Sequence, residues 1–234
     1  MFCSKCGQTL ADDAKTCLSC GAPVAGAGST GGGSSPGGEV IARLWPRVKA
    51  ILTTPKTEWP VIAGESATSA DIYLRYVAYL AAIGAVAGFI GSTVIGVHVP
   101  LVGTVRSGFG SALSGAIVGY VLTFVQVFVV AMIVDALAPT FGGQRDSLRA
   151  LKVTAYSFTP GWVAAVLVIF PMLGIIAGLI GLYGLYLLYL GLPVLMRSPP
   201  ERSLGYTVVV VIAAIIVGII IGIVVHAFGP HTTL

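Results

Sequence analysis

From residue 72 to residue 228 the chain is nearly continuous hydrocarbon, broken only by short polar loops. A helix needs about 20 apolar residues to cross a bilayer. By that measure the stretches 72–97, 113–138, 153–170, 172–196 and 206–228 predict five spans, an all-α five-helix transmembrane bundle. The third is the weakest: it has 18 residues, with Pro160 and Gly161 inside it, and only a turn at Pro171 joins it to the fourth. Those two predict a helical hairpin. Residues 229–234 are left as a short tail.

Ahead of the bundle the pattern changes. Over residues 39–71, Val40, Ile41, Leu44, Trp45, Val48, Ile51 and Leu52 fall within one arc of a helical wheel, with Arg43, Arg47 and Lys49 outside it. This predicts amphipathic, interfacial helices, packed on the mouth of the bundle and also touching anionic lipid. Pro46 either kinks the first helix or starts it. Thr54 and Pro55 read as the N-cap and first position of a second, with Trp59 placed for the headgroup level. Residues 22–38 have no apolar period and are rich in Gly and Ser, so they predict a flexible linker reaching roughly 20–25 Å. Residues 1–21 form a separate module.

Composition sharpens the division. The chain is 56% hydrophobic and 9% charged, far below the charge of about a quarter usual in soluble domains, so the lipid bilayer is part of its solvent. Lys5 and Lys15 balance Asp12 and Asp13 in the N-terminal region, which excludes a nucleic-acid footprint there despite the net charge of +4. No signal-peptide core is present, so the first span must act as its own insertion signal. Of the 13 Lys and Arg, all but Arg106 fall on one side of the five spans. The positive-inside rule then predicts a cytoplasmic N-terminus and an external C-terminus.

The N-terminal module contains all four cysteines, as Cys3-x-x-Cys6 and Cys17-x-x-Cys20, followed by Gly7 and Gly21. Two such knuckles bring four thiolates onto one tetrahedral ion with Zn–S distances of about 2.3 Å. One structural zinc ion is the favoured reading over two disulfides, a rubredoxin-type iron or a redox pair, and a reducing cytoplasm supports it. Four thiolates leave no open position for catalysis. Metal binding would supply the folding free energy of so small a module, on the order of 10 kcal/mol.

CSKCGQTLADDAKTCLSCGAPV is similar to the double-knuckle zinc ribbons that begin many bacterial membrane proteins. ILTTPKTEWPVI before the first span, AYSFTPGW opening the third and GLYGLYLLYLGLPVLM closing the fourth together resemble the bacterial Yip family, over about residues 40–228. The resemblance implies a multi-pass protein of the bacterial inner membrane. Eukaryotic relatives act in ER and Golgi trafficking and bind Rab-type GTPases; the acidic-tyrosine-glycine-proline signature of that branch is missing here.

Chemistry inside the bilayer is sparse. Gln126 is the only amide within a span and reads as interhelical packing glue or a solute contact. Asp135, near the end of the second span, calls for a cationic partner such as Arg149, Lys152 or Arg75. Ser157, Thr159 and Pro160 predict a kink whose freed carbonyl is re-satisfied by hydroxyls, structural or cavity-marking. His98 and His226 read as solvated loop residues. Tyr73, Tyr76, Tyr79, Tyr156, Tyr186, Tyr189 and Tyr206 gather toward the cytoplasmic half as an aromatic belt, or in part as the lining of a cavity. Small residues four apart (Gly84, Gly88, Ser92, Gly96; Gly115, Gly119; Gly174, Gly178; Gly218, Gly222) predict close-packing seams, one of which could form a homo-oligomer face. No nucleophile with an adjacent base and no paired intramembrane carboxylates occur, which argues against an enzyme. The leading expectation is a non-catalytic membrane scaffold or adaptor whose ribbon recruits a cytoplasmic protein partner; the alternative is a small-solute transporter or channel.

Overall fold

A computed structural model describes residues 36–99, 103–170 and 173–228. The zinc-ribbon cysteines, most of the 22–38 linker, the turn at Pro171 and the tail 229–234 lie outside the described residues.

Four helices are long and apolar enough to cross a membrane: Ser69–Ile95, Phe109–Phe141, Gly174–Met196 and Pro200–Val225. They correspond to the first, second, fourth and fifth expected spans. Two helices precede them. Helix α1 (Pro36–Thr53) continues through Pro46, and α2 (Pro55–Gly64) begins with Thr54 as N-cap and Pro55 in its first turn. The first span is built from α3 (Ser69–Ile72), a π-helical turn at Tyr73–Val77, α4 (Ala78–Ile90) and a second π turn at Gly91–Ile95. Thr68 and Asp71 start it with a reciprocal capping box, which satisfies two otherwise orphaned amides. A two-stranded antiparallel hairpin follows, β1 (Val97–Val99) against β2 (Gly103–Val105), with His98 opposite Thr104. The connection to the second span is therefore a short ribbon and not a plain loop.

The second span is α5 (Phe109–Leu137), closed by a 3-10 turn at Ala138–Phe141. Gly142 then takes a left-handed φ of 74°, and a side chain on Gly143 would meet the Met196 carbonyl at 2.7 Å. Glycine is what lets the chain turn this tightly under the end of the fourth span. That span is α8 (Gly174–Met196), and the fifth belongs to α9 (Pro200–Phe228).

The expected third span differs most from its sequence reading. In place of one helix over 153–170, α6 starts at Ser147 and ends at Ser157, α7 covers Thr159–Ala164, and a 3-10 segment runs over Ala165–Ile169. The break falls at Phe158, just before Pro160, because proline cannot donate to the carbonyl a turn earlier. Every residue from 150 to 157 is buried, Lys152, Thr154 and Ser157 included. Encased by α2, α3, α5 and α8, α6 does not face lipid, so it tolerates polar residues that an exposed span could not. The broken segment lies alongside the first span in the same direction. Near its start α6 packs on α3, the Tyr76 hydroxyl meets Thr159 Oγ1 at 2.7 Å, and a Cβ on Gly84 would touch Ala165 Cβ at 3.5 Å.

The hydrophobic core sits at one end of this bundle. Val48 and Ile51 of α1, Trp59 and Ile62 of α2, Val130 and Val134 of α5, Val153 and Tyr156 of α6, Leu187, Leu188, Leu192, Leu195 and Met196 of α8, and Tyr206 and Val210 of α9 meet there. Arg47, Arg149, Lys152, Arg197 and Arg202 ring the same end; we call it the basic end and the other the hairpin end.

Candidate functional site

Two features of the bundle hold polar groups in organised surroundings. The first is a charged clasp at the basic end. The Arg47 guanidinium, on α1, donates to the carboxylates of both Glu58 and Glu65. Burial disfavours its charge, but the carboxylate of Glu65, foremost, more than offsets this and its pKa is raised. Lys152, at the mouth of the bundle and 4% exposed, donates from Nζ to the carbonyls of Ile62 at 3.0 Å and Glu65 at 2.6 Å. Those carbonyls end α2, where the helix dipole is negative and orphan acceptors need donors. One buried ammonium thus caps α2 and fixes it to α6.

Trp59 completes the clasp. Expected at the headgroup level, it is wholly buried and meets Tyr156 edge to face, with ring centroids 6.4 Å apart. It fits there because α8 has no side chain at Gly191: a Cβ would come within 2.8 Å of the indole and 2.7 Å of Val153. At Gly184, two turns earlier on the same face, a Cβ would meet the Ser157 carbonyl at 2.6 Å. Trp45, by contrast, is 64% exposed on α1.

The second feature is a cavity of about 380 Å³ inside the bundle, between α5, the α6–α7 break, α8 and α9. It brings together Gln126 and Ser157, two residues singled out from the sequence, and adds Thr154, which was not. Thr154 and Ser157 are three apart and so share one face of α6; that spacing was the available signal. Both hydroxyls are buried without a hydrogen-bond partner among the described residues. Phe158, Trp162 and apolar residues of α8 and α9 make up most of the remaining wall.

The other expected site residues separate. Asp135 takes none of its expected cations: its Oδ1 accepts the backbone amide of Asp146 at 2.8 Å, which anchors the start of α6. Arg149 instead pairs with Asp146 at 3.1 Å, and Arg75 with Asp71 at 3.4 Å. Thr159 uses its hydroxyl on Tyr76. The tyrosines divide, with Tyr76, Tyr156 and Tyr206 buried inside the bundle and Tyr79, Tyr186 and Tyr189 exposed. Tyr206 donates to the Val134 carbonyl and stacks on Phe141 at 4.9 Å. Of the small-residue seams, Gly84, Gly119 and Gly218 approach Ala165, Val225 and Gln126, while Gly88, Gly174, Gly178 and Gly222 face open space. The α4–α5 seam in fact borders a groove of about 300 Å³ that includes Gly84, Gly88, Ser92, Gly115 and Gly119. Among the described residues, no three His, Cys, Asp or Glu gather as a metal cluster.

A family model for the Yip1 domain matches residues 49–222. The chain belongs to the Yip1 domain family. A zinc-ribbon domain model matches residues 2–24, over Cys3, Cys6, Cys17 and Cys20. No curated protein and no solved structure gives a match. The Yip1 domain contains the cavity and most of the clasp, including Lys152, Trp59, Glu58 and Glu65; Arg47 stands two residues ahead of it. The chain is thus an integral membrane protein of the Yip family with a zinc-ribbon domain ahead of its membrane helices.

Proposed function

We propose that this Yip-family protein is a non-catalytic membrane scaffold or adaptor: the bundle anchors it, and the ribbon, holding one structural zinc on Cys3, Cys6, Cys17 and Cys20, recruits a cytoplasmic protein partner. The donor set suits that role, because four thiolates fill a tetrahedral zinc and leave no coordination site for substrate.

The observation that carries the reading is the clasp. From Leu44 onward the segment that links ribbon to bundle packs into the core, and Arg47 and Lys152 fasten it with charge-assisted hydrogen bonds. A partner held by the ribbon would be tied through a short linker to a fixed platform.

In this reading the broken α6–α7 segment counts as a fifth crossing. Its course beside the first span, from α3 at one end to Gly84 and Ala165 deeper in, supports that. With five crossings and the basic ring held inside, the N-terminus would be cytoplasmic and the C-terminus outside the inner membrane, as the positive-inside rule expects. A reporter fused after Leu234 should therefore behave as exported, and cytoplasmic activity would remove the fifth crossing.

The scaffold role is tested by crosslinking and pull-down with the full chain, with a 1–38 deletion and with Cys3→Ser/Cys20→Ser. Specific partners should be lost in both variants, and zinc content should fall in the second. Solute uptake into proteoliposomes that vanishes on Gln126→Leu yet survives the 1–38 deletion would replace the scaffold with a carrier.

A further inference from the structure

The arginines of this bundle divide into those matched by a carboxylate and those that are not. Arg47 has Glu58 and Glu65, Arg75 has Asp71, and Arg149 has Asp146. Arg145, Arg197 and Arg202 are exposed and form no ion pair among the described residues. Asp135 and Asp146 are already taken, the first by the Asp146 amide and the second by α6. Glu201 is the remaining carboxylate on these loops, and it too is exposed and unpaired among the described residues.

The three arginines belong to two loops that pack on each other where the spans end. The Gln144 amide donates to the Met196 carbonyl at 2.8 Å. Arg197 Nη1 donates to Gln144 Oε1 at 3.3 Å, and Arg202 Nη1 lies 3.5 Å from where a Cβ on Gly142 would stand. Two guanidinium groups from the α8–α9 link thus rest on the same loop that carries Arg145. Like charges gathered in this way repel, and an anion between them relieves the repulsion.

The backbone singles out Arg197 as well. It ends α8 at φ 52° and ψ 37°, and among the described residues no other non-glycine has a positive φ. Glycine or asparagine usually fills this place, because a Cβ is crowded in the left-handed region. An arginine kept there at a cost points to a use for its side chain.

The surroundings say which anion. The membrane helices end at Phe141 and Met196 and resume at Pro200, so the arginines stand within a few residues of the apolar runs, where the polar headgroup layer begins. A guanidinium fork matches two phosphate oxygens at once. From Arg202 onward, Gly205, Val209, Ile212 and Ile216 follow at the spacing of one helix face, and all four are exposed. That strip gives an acyl chain a path along α9 away from the phosphate.

We propose that Arg145, Arg197 and Arg202 form a binding site for the phosphate of an anionic phospholipid of the phosphatidylglycerol class, in the leaflet at the basic end, with an acyl chain lying along α9.

Native mass spectrometry of the full chain, released from micelles holding equal amounts of phosphatidylglycerol and phosphatidylcholine, tests this. Phosphatidylglycerol adducts should dominate, and they should fall about fivefold for each arginine removed in Arg197→Gln/Arg202→Gln. Arg106→Gln, just after β2 at the hairpin end, should leave them unchanged. Arg197→Gly should also lose the lipid, while the melting temperature of the lipid-free protein stays level or rises, because glycine suits the left-handed φ. Glycerophosphoglycerol, the same headgroup without chains, should fail to displace the lipid even in large excess. Equal adducts of the two lipids, undiminished adducts in the double variant, an equal fall in Arg106→Gln, or a lowered melting temperature in Arg197→Gly would overturn the site. Displacement by the chain-free headgroup would make it a site for soluble phosphate compounds and overturn the lipid assignment.

Discussion

The basic end and the hairpin end of this bundle use glycine in opposite ways. At the basic end Gly191 admits Trp59 and Val153 and Gly143 admits the Met196 carbonyl, and at mid-span Gly184 admits the Ser157 carbonyl, each closer than any Cβ could stand. Toward the other end Gly88, Gly174, Gly178 and Gly222 face nothing, and the α4–α5 seam opens into a groove. In lipid, helices associate through close contact and not through hydrophobic exclusion. The glycines that stabilise the fold are therefore those with a neighbour in their absent side chain's place, wherever the small-residue spacing falls.

The largest effect should separate these two classes directly. Gly191→Leu drives a side chain into Trp59 and Val153 and should destabilise by about 3 kcal/mol, at the upper end of ordinary overpacking. Gly178→Leu adds apolar surface toward lipid and should stay within about 0.5 kcal/mol. Thermal melts in detergent followed by tryptophan fluorescence, with Trp59 as reporter, check both. Equal melting shifts would mean that the two ends are not packed differently.

This contrast also shows what was readable in the chain. Hydropathy located four of the spans well, because a run such as that of α9 must meet lipid on most sides whatever its neighbours are. Residues 147–170 resisted the same reading. Lys152 and Asp146 look like a polar loop, but Asp146 is the N-cap that starts α6 and contacts from α2, α3, α5 and α8 bury Lys152 within it. Trp59 was assigned to the interface from its chemistry, yet a gap on α8 some 130 residues later, at Gly191, decides its place. The cavity followed the same rule: Gln126 and Ser157 were visible as isolated polar residues, but their meeting depends on which faces of α5 and α6 turn inward.

A second way to sharpen the comparison acts on the clasp alone. Lys152→Met removes the donor to two α2 carbonyls and should cost about 2 kcal/mol, in the range of charge-assisted bonds. It should also expose the link between α1 and α2, near Thr54, to limited proteolysis. The hairpin end should keep its protease protection. Arg47→Ala should cost less, about 1 kcal/mol, because Arg47 and Glu65 keep 20% and 39% of their side-chain surface in water. Its deficit should shrink as salt is raised, since exposed pairs are screened; a deficit that grows with salt would mean that packing of the arginine stem dominates.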